Sequence, residues 1–303
     1  MEQFEKSTKD KPLVIKKRNE LIQKASYDYN NTQLNIMNYL CILMQENLEL
    51  EFGDEELEKI ENLEPGESIR LEFWASNCIK SYYDGKLGGL QIKSFENALT
   101  GMTDVESFKI KLGKKAKHIT RFVLSWGKTD IGKIYVNIDG LLAKIILLPK
   151  ILNQKGNYTT LNLYYWSLID GSKCKRLYEI LISHYNKRKD IISNNTNNEN
   201  PEIKITLMND EIVEQLKLKN TPTYSSPSQI KRNIIIPTKE QMNEKTLYHC
   251  RFNEIKEGRS ILGYDFYIQQ IIDVIINDCD EAIDEKNENL IIPAENEEPF
   301  HFW

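Results

Sequence analysis

The chain has 303 residues, with 40 Lys and Arg against 45 Asp and Glu, 40% hydrophobic and 10% aromatic content. That length suggests about two domains, and this balance of apolar and charged residues excludes both a disordered chain and a membrane protein. No run approaches the roughly 18 apolar residues of a spanning helix and the N-terminus is polar, so neither a signal peptide nor an anchor is expected.

The net charge of −5 argues against a polyanionic partner only until it is split by position. Asp273 to Trp303 holds ten acidic residues against Lys286 alone; without this tail, 39 basic residues face 35 acidic ones, a net +4. Glu46 to Glu67 holds ten more acids against Lys59, and what then remains carries +13. A basic body with two acidic appendages has the electrostatic footprint of a nucleic-acid binder. The five cysteines are odd in number and scattered, without a C-x-x-C pair, which suits reduced core thiols in the cytoplasm.

In chain order, residues 1–12 are expected to be a flexible lead, and residues 13–26 a short strand or turn entering a basic helix. A stronger helix follows a cap at Asn31 or Thr32, with Leu34, Met37, Leu40, Cys41, Met44 and Leu48 at helical spacing. Gly53 to Gly66 reads as an acidic connector, and Ile69 to Trp74 alternates like a half-buried strand. Residues 118–126 and 132–138 read as a hairpin, followed by a short apolar helix, Leu141 to Leu148, closed by Pro149. The polar stretch Asn153 to Asn157 is the expected boundary between a first domain, 13–152, and a second, 158–270.

The second half repeats the plan. A helix is expected over Ser172 to Tyr185, then an Asn-rich loop from Asn194 to Asn200, then a short helix capped by Asn209 or Asp210. Ser226-Pro227 starts another helix, since proline suits the first helical turn. A second hairpin turns at Glu257-Gly258-Arg259, before the acidic tail 273–303. Helices followed by a terminal hairpin, twice over, predict an α+β chain of two tandem winged-helix domains.

Catalytic and metal signatures are missing. Gly127-Lys128-Thr129 imitates the end of a phosphate-binding loop, but Phe122 stands where the first glycine belongs and the tripeptide lies between strands. The four histidines, His118, His184, His249 and His301, stand alone, so no pair is available to hold the metal of an origin-nicking enzyme. The expectation is a protein that is not an enzyme, with no catalytic residue, metal or cofactor.

Basic residues instead gather where a winged helix meets a duplex. Lys114, Lys115, Lys117, Arg121 and Lys128 belong to a cluster around the first hairpin; Lys173, Lys175 and Arg176 open the helix after the boundary; Arg251, Lys256 and Arg259 line the second hairpin. Ser228, Gln229, Lys231, Arg232 and Asn233 share one helix, with Lys239 further along it. Cations of this kind fix register on phosphates, while Arg, Asn, Gln and Ser on a helix in the major groove read base edges.

Several of these segments resemble the Rep_3 family of plasmid replication initiators. Tyr158 to Leu163 with Lys173 to Tyr185 resembles its FTKYNL and SKYSIRLYELL signature, Leu177-Tyr178-Glu179 being the most specific piece. Residues 13–40 resemble its opening, Ile230 to Pro237 with Asn243 its FKRRVLEPA and EIN helix, and Glu257 to Phe266 its final wing. Ile230, Asn233 and Thr238 depart from the family's aromatic, second arginine and alanine. The resemblance implies a bacterial, plasmid-encoded, cytoplasmic protein that binds double-stranded DNA at origin direct repeats (iterons). It also implies origin opening, recruitment of the host replication initiator and helicase machinery, and repression of its own gene as a homodimer in equilibrium with the monomer. Dimer pairing is then expected through the first domain and the main DNA contact through the second. The alternative is a winged-helix repressor of transcription without a replication role.

Overall fold

The computed structural model describes residues 14–50, 62–63, 67–83, 87–104, 108–112, 116–151, 158–196, 200–219, 221–224 and 226–271. The acidic tail, most of the acidic connector and the expected boundary at 153–157 lie outside these residues.

The chain opens with β1 (Val14–Arg18), a π-helical turn (Glu20–Lys24) and β2 (Ala25–Tyr27), where a basic helix was expected. Helix α1 (Asn31–Leu50) is capped one residue earlier than predicted. The Asn30 side chain accepts from the Gln33 N–H at 3.0 Å, and the Gln33 side chain accepts from the Asn30 N–H at 3.0 Å. Its predicted stripe is buried from Leu34 to Met44, and so are Ile36, Tyr39 and Ile42, which makes α1 the central helix of the first half.

Around α1 stand β3 (Ser68–Phe73), α2 (Ala75–Lys80), α3 (Gly89–Met102), β4 (Phe108–Leu112), β5 (Ala116–Thr120), β6 (Val123–Lys128), β7 (Ile134–Asp139) and α4 (Gly140–Ile151). One three-stranded sheet runs β3-β7-β6 and another β2-β4-β5. The expected long strand over residues 118–126 is therefore two strands in two sheets. The chain turns inward at Phe122, which is fully buried with its ring 6.1 Å from that of Phe108, and alternation alone does not say which sheet a strand joins. Helix α4 is capped by Asp139, whose side chain accepts from the Leu142 N–H at 3.1 Å, and it runs through Pro149 to Ile151. A proline so near the end interrupts little of the remaining hydrogen-bond ladder.

Strand β8 (Tyr158–Asn162) pairs with β1 in register Ile15 to Leu161, so the first strand of the chain joins the start of the second half. Next come α5 (Leu163–Leu168), α6 (Ser172–Thr196), β9 (Ile203–Met208), α7 (Asn209–Gln215), α8 (Pro227–Ile230), a π-helical turn (Lys231–Ile235), α9 (Ile236–Lys245), β10 (Tyr248–Glu257) and β11 (Ser260–Gln270). Helix α6 runs well past the expected Tyr185 and takes in the start of the Asn-rich stretch.

The second sheet has the order β10-β11-β9, so in each half the strand before the short helix pairs with the last strand of the hairpin: β3 with β7, β9 with β11. Each half has the winged-helix arrangement, helices packed on a three-stranded sheet that carries a hairpin wing. The core of the second is Leu177, Tyr178 and Leu181 of α6 against Ile205, Ile230, Ile234, Met242 and Phe266. Among the described residues no helix is long and apolar enough to cross a membrane.

Candidate nucleic-acid interface

The helical run from Pro227 to Lys245 is built to present one face. Ser226 caps it, accepting from the Gln229 N–H at 3.4 Å. The π turn precedes Pro237, where the ladder must drop an N–H anyway; the Ile236 N–H reaches back five residues to the Lys231 carbonyl. Ile230, Ile234, Ile235, Thr238 and Met242 are buried, while Ser228 and Arg232 are exposed and Gln229, Lys231, Asn233 and Lys239 are half-buried. All six residues expected on this helix thus sit within about three turns of it.

The wing is fastened to that helix at three points. Glu254 on β10 accepts from Lys231 at 2.6 Å and from Lys256 at 2.5 Å, and these two cations hold its carboxyl below the usual range. The Tyr264 hydroxyl donates to the Pro227 carbonyl at 3.2 Å. Asn243 and Cys250 exchange hydrogen bonds of 3.1 and 2.6 Å between the end of α9 and β10. Glu254 therefore aligns two lysines and leaves the trio with one net positive charge. At the wing tip Gly258 has φ +57, and Arg259 beside it is exposed.

Arg251 is differently placed. Its guanidinium lies 3.9 Å from the centre of the Tyr267 ring and makes a fork to Glu202, just before β9, at 2.9 and 2.8 Å, so its charge is already paired although the side chain is exposed.

The three basic residues at the start of α6 are corrected by the structure. Arg176 is 3% exposed; its guanidinium donates to Glu179 at 2.9 Å and to the carbonyls of Leu21, Ile22 and Ala25. Lys175 is buried, 4.0 Å from the centre of the Trp166 ring and bonded to the Trp166 and Ser167 carbonyls, and burial brings its amine down to about 8. Lys173 donates to Asp28 at 2.6 Å and to the Leu216 carbonyl at 2.7 Å. The sequence put these residues at the opening of a helix, but the chain's first turn covers Arg176, α5 covers Lys175, and Asp28 with the Leu216 carbonyl holds Lys173. They are structural cations.

In the first half, Lys128 ends β6 and pairs with Glu96 of α3 at 2.7 Å, and Arg121 is half-buried between β5 and β6. Lys114 and Lys115 lie outside the described residues; Lys117 is on β5, its side chain likewise outside them. The sequence reading missed α3. By its place in the winged helix it is the counterpart of the 227–245 run, and it leaves Lys93, Ser94 and Asn97 exposed along one side. The Gly88-Gly89 start, ahead of Phe95, Leu99 and Met102 at helical spacing, was the available signal.

Among the described residues no group of three His, Cys, Asp or Glu is arranged to hold a metal ion. His184, on the buried side of α6, is brought down to about 4, chiefly by burial and then by Arg188 and Lys187. It is half-buried rather than part of the core.

Comparison with known proteins agrees with this geometry. The family model described as initiator Rep protein, WH2, matches residues 209–268, which span α7 to β11 and contain the whole helix-and-wing unit. The crystal structure of Pi initiator protein in complex with iteron DNA is similar in fold. It has a TM-score of 0.50 at 17% identity, over 87% of this chain and 100% of that one. No curated protein matches the chain.

Proposed function

We propose, starting from the initiator Rep domain of the Rep_3 kind that residues 209–268 constitute, that this protein is a plasmid replication initiator that binds direct repeats at its origin. The observation that carries the proposal is the 227–245 helix, which exposes Ser228 and Arg232 and is fastened to a basic wing through Lys231, Glu254 and Lys256. Exposed Arg and Ser on a helix of groove-filling size are base-reading groups, and wing cations neutralise phosphates beside it. The structure of the Pi protein with iteron DNA supports the same class of partner.

On this reading α3 and the β6–β7 turn make a second contact with the duplex, and the protein acts by binding rather than by chemistry. The sequence spacing supports the non-catalytic part, since it contains no H-x-H or HExxH that would pair histidines for a nicking metal. Opening of the origin, recruitment of the host replication initiator and helicase, self-association and repression of its own gene complete the proposal for a protein of the bacterial cytoplasm.

The test is a gel shift with the DNA flanking the gene against a scrambled duplex, at several salt concentrations. Specific retardation that weakens steeply with salt is expected, because each neutralised phosphate releases a counterion. Equal affinity for the two duplexes would overturn the proposal. A plasmid carrying the gene and its flank then separates an initiator, which sustains replication, from a repressor, which does not. Cleavage of supercoiled plasmid in Mg²⁺ or Mn²⁺ would refute the non-catalytic part.

A further inference from the structure

The segment Val14 to Asp28 belongs to both halves of the molecule. Tyr27 pairs with Phe108 in the β2–β4 ladder, and their rings stack 5.0 Å apart, which ties the segment to a sheet of the first half. The Lys16 backbone exchanges hydrogen bonds of 3.3 and 2.6 Å with the Gln45 side chain of α1, a second tie to the first half, and the segment also grips the second half. β1 pairs with β8. Lys17 and Arg176 share the Glu179 carboxylate at 2.7 and 2.9 Å, with all three side chains nearly fully buried. Asn19 accepts from Thr159 and Ser183, and Gln23 donates to Ser183 at 2.8 Å.

The grip continues to the approach of the DNA-reading helix. Gln215 donates to the Gln23 carbonyl at 3.0 Å, the Ser26 hydroxyl to the Glu214 carbonyl at 2.7 Å, and Lys173 to Asp28 and Leu216. These bonds hold the C-terminal end of α7, from which a short connection leads to the cap at Ser226. A ladder, a buried three-charge cluster and a row of side chain to backbone bonds thus fix α6 and α7 to a strand shared with the first half. Replacing a buried ionic network by well-packed apolar residues is often neutral for stability, and in some proteins such a network serves to specify one arrangement.

We infer that this clasp is a specificity element: by fixing the angle between α3 and the 227–245 helix, Lys17, Glu179 and the Gln23–Ser26 contacts set the base-pair spacing between the two DNA segments the protein reads. The inference rests on the proposed two-site DNA binding. Two readers on a loose joint tolerate several spacings; two readers on a rigid joint lose one contact set whenever the duplex is lengthened, because each added base pair both translates and rotates the second segment. The residues of the clasp touch no DNA in this account and act as positioning residues.

The test uses the full chain and a duplex that it selects from a random-sequence pool, with two base pairs then inserted between the two protected segments. Wild type is expected to bind the selected duplex at least tenfold more tightly than the lengthened one. The paired substitution Lys17→Met with Glu179→Gln keeps the net charge of the buried cluster and leaves Arg176 an acceptor. It is expected to bind the selected duplex within a few-fold of wild type while the spacing ratio falls towards one. A folded variant, by circular dichroism, that keeps the wild-type ratio would overturn the inference. If that variant does not fold, the triple variant Gln23→Ala, Ser26→Ala, Gln215→Ala, which removes only partly exposed contacts, decides by the same ratio. A wild-type chain that selects no duplex would instead refute the DNA-binding proposal, so the two failures are distinct.

Discussion

Replacing Glu179 by alanine exposes the energetics of the buried cluster directly. The side chains of Lys17 and Glu179 are each 1% exposed and that of Arg176 is 3% exposed, so the substitution leaves two cations out of water with their shared anion gone. Breaking a buried pair from one side costs about 3–5 kcal/mol, most of it the penalty of the uncompensated charge. Arg176 keeps its backbone carbonyl acceptors, whereas among the described residues Glu179 is the acceptor bonded to the Lys17 Nζ, so the loss falls mainly on Lys17. With an m-value of roughly 2 kcal/mol per molar urea, the midpoint falls by about 2 M. Lys17→Met costs less, since Glu179 then retains Arg176.

The same carboxylate gives a pH signature. Burial alone would raise the Glu179 carboxyl, but Lys17 and then Arg176 hold it below its ordinary range. A depressed carboxyl contributes stability above its unfolded value, near 4.3, and loses it as pH falls through the folded value. Wild type therefore loses stability below about pH 4, and Glu179→Gln flattens that limb. Urea titrations at pH 7 and pH 3.5, followed by circular dichroism, check both points. A loss below about 1 kcal/mol for Glu179→Ala at pH 7 would refute the account of the cluster as a buried, mutually dependent unit.

Arg232→Ala is expected to cost about 1–3 kcal/mol of binding to selected DNA and to relax discrimination at one position, whereas Arg259→Ala at the wing tip lowers the salt slope by about one and leaves discrimination unchanged; both are read by quantitative gel shift. Gly263→Ala places a Cβ 2.6 Å from the Leu207 carbonyl oxygen and 2.9 Å from the Met208 Cα, backbone atoms that cannot step aside, so a loss of about 1–3 kcal/mol in urea denaturation follows. Gly258→Ala meets open space but a φ of +57, and is expected to cost about 1 kcal/mol, with Gly258→Asn milder. His184 stays neutral at pH 7 and titrates near 4; its depressed value adds stability above about 6.5 that is lost as pH falls towards 4, which a proton NMR titration of the imidazole follows.

The local signals in the sequence were faithful where one side chain decides the outcome. Ser226-Pro227 starts a helix, Gly258 turns a hairpin, and the apolar stripes of α1 and α6 face cores, because capping, left-handed φ and period-3.6 burial are properties of a few adjacent residues. What failed was partnership across long separations. Lys17 and Glu179 are 162 positions apart, and nothing in either neighbourhood announces the other; a Lys-Lys-Arg run in a basic protein looks solvated. For the same reason Lys175 and Arg176 looked like phosphate ligands, though an inward Arg after a Lys differs from an outward one only in what covers it. Strand β9 is a different case. Ile203, Ile205 and Leu207 alternate with Lys204, Thr206 and Met208 and are buried as that alternation demands, so the third strand of the second sheet was legible and went unread.

Because β1 pairs with β8, the earliest strand among the described residues finds its partner only when residue 162 has left the ribosome. During synthesis of the intervening stretch it is a strand without its partner, the kind of segment that invites pairing with the wrong chain. Its composition suits that wait: Lys16, Lys17 and Arg18 put three positive charges on five residues, which repel a second copy of the same nascent strand. Lys17 thus guards the strand while it stands unpaired and becomes a buried structural cation once it pairs. The order of emergence also means that the strands of the first half's own sheets have all emerged before β8 is available to complete the ladder of the joint.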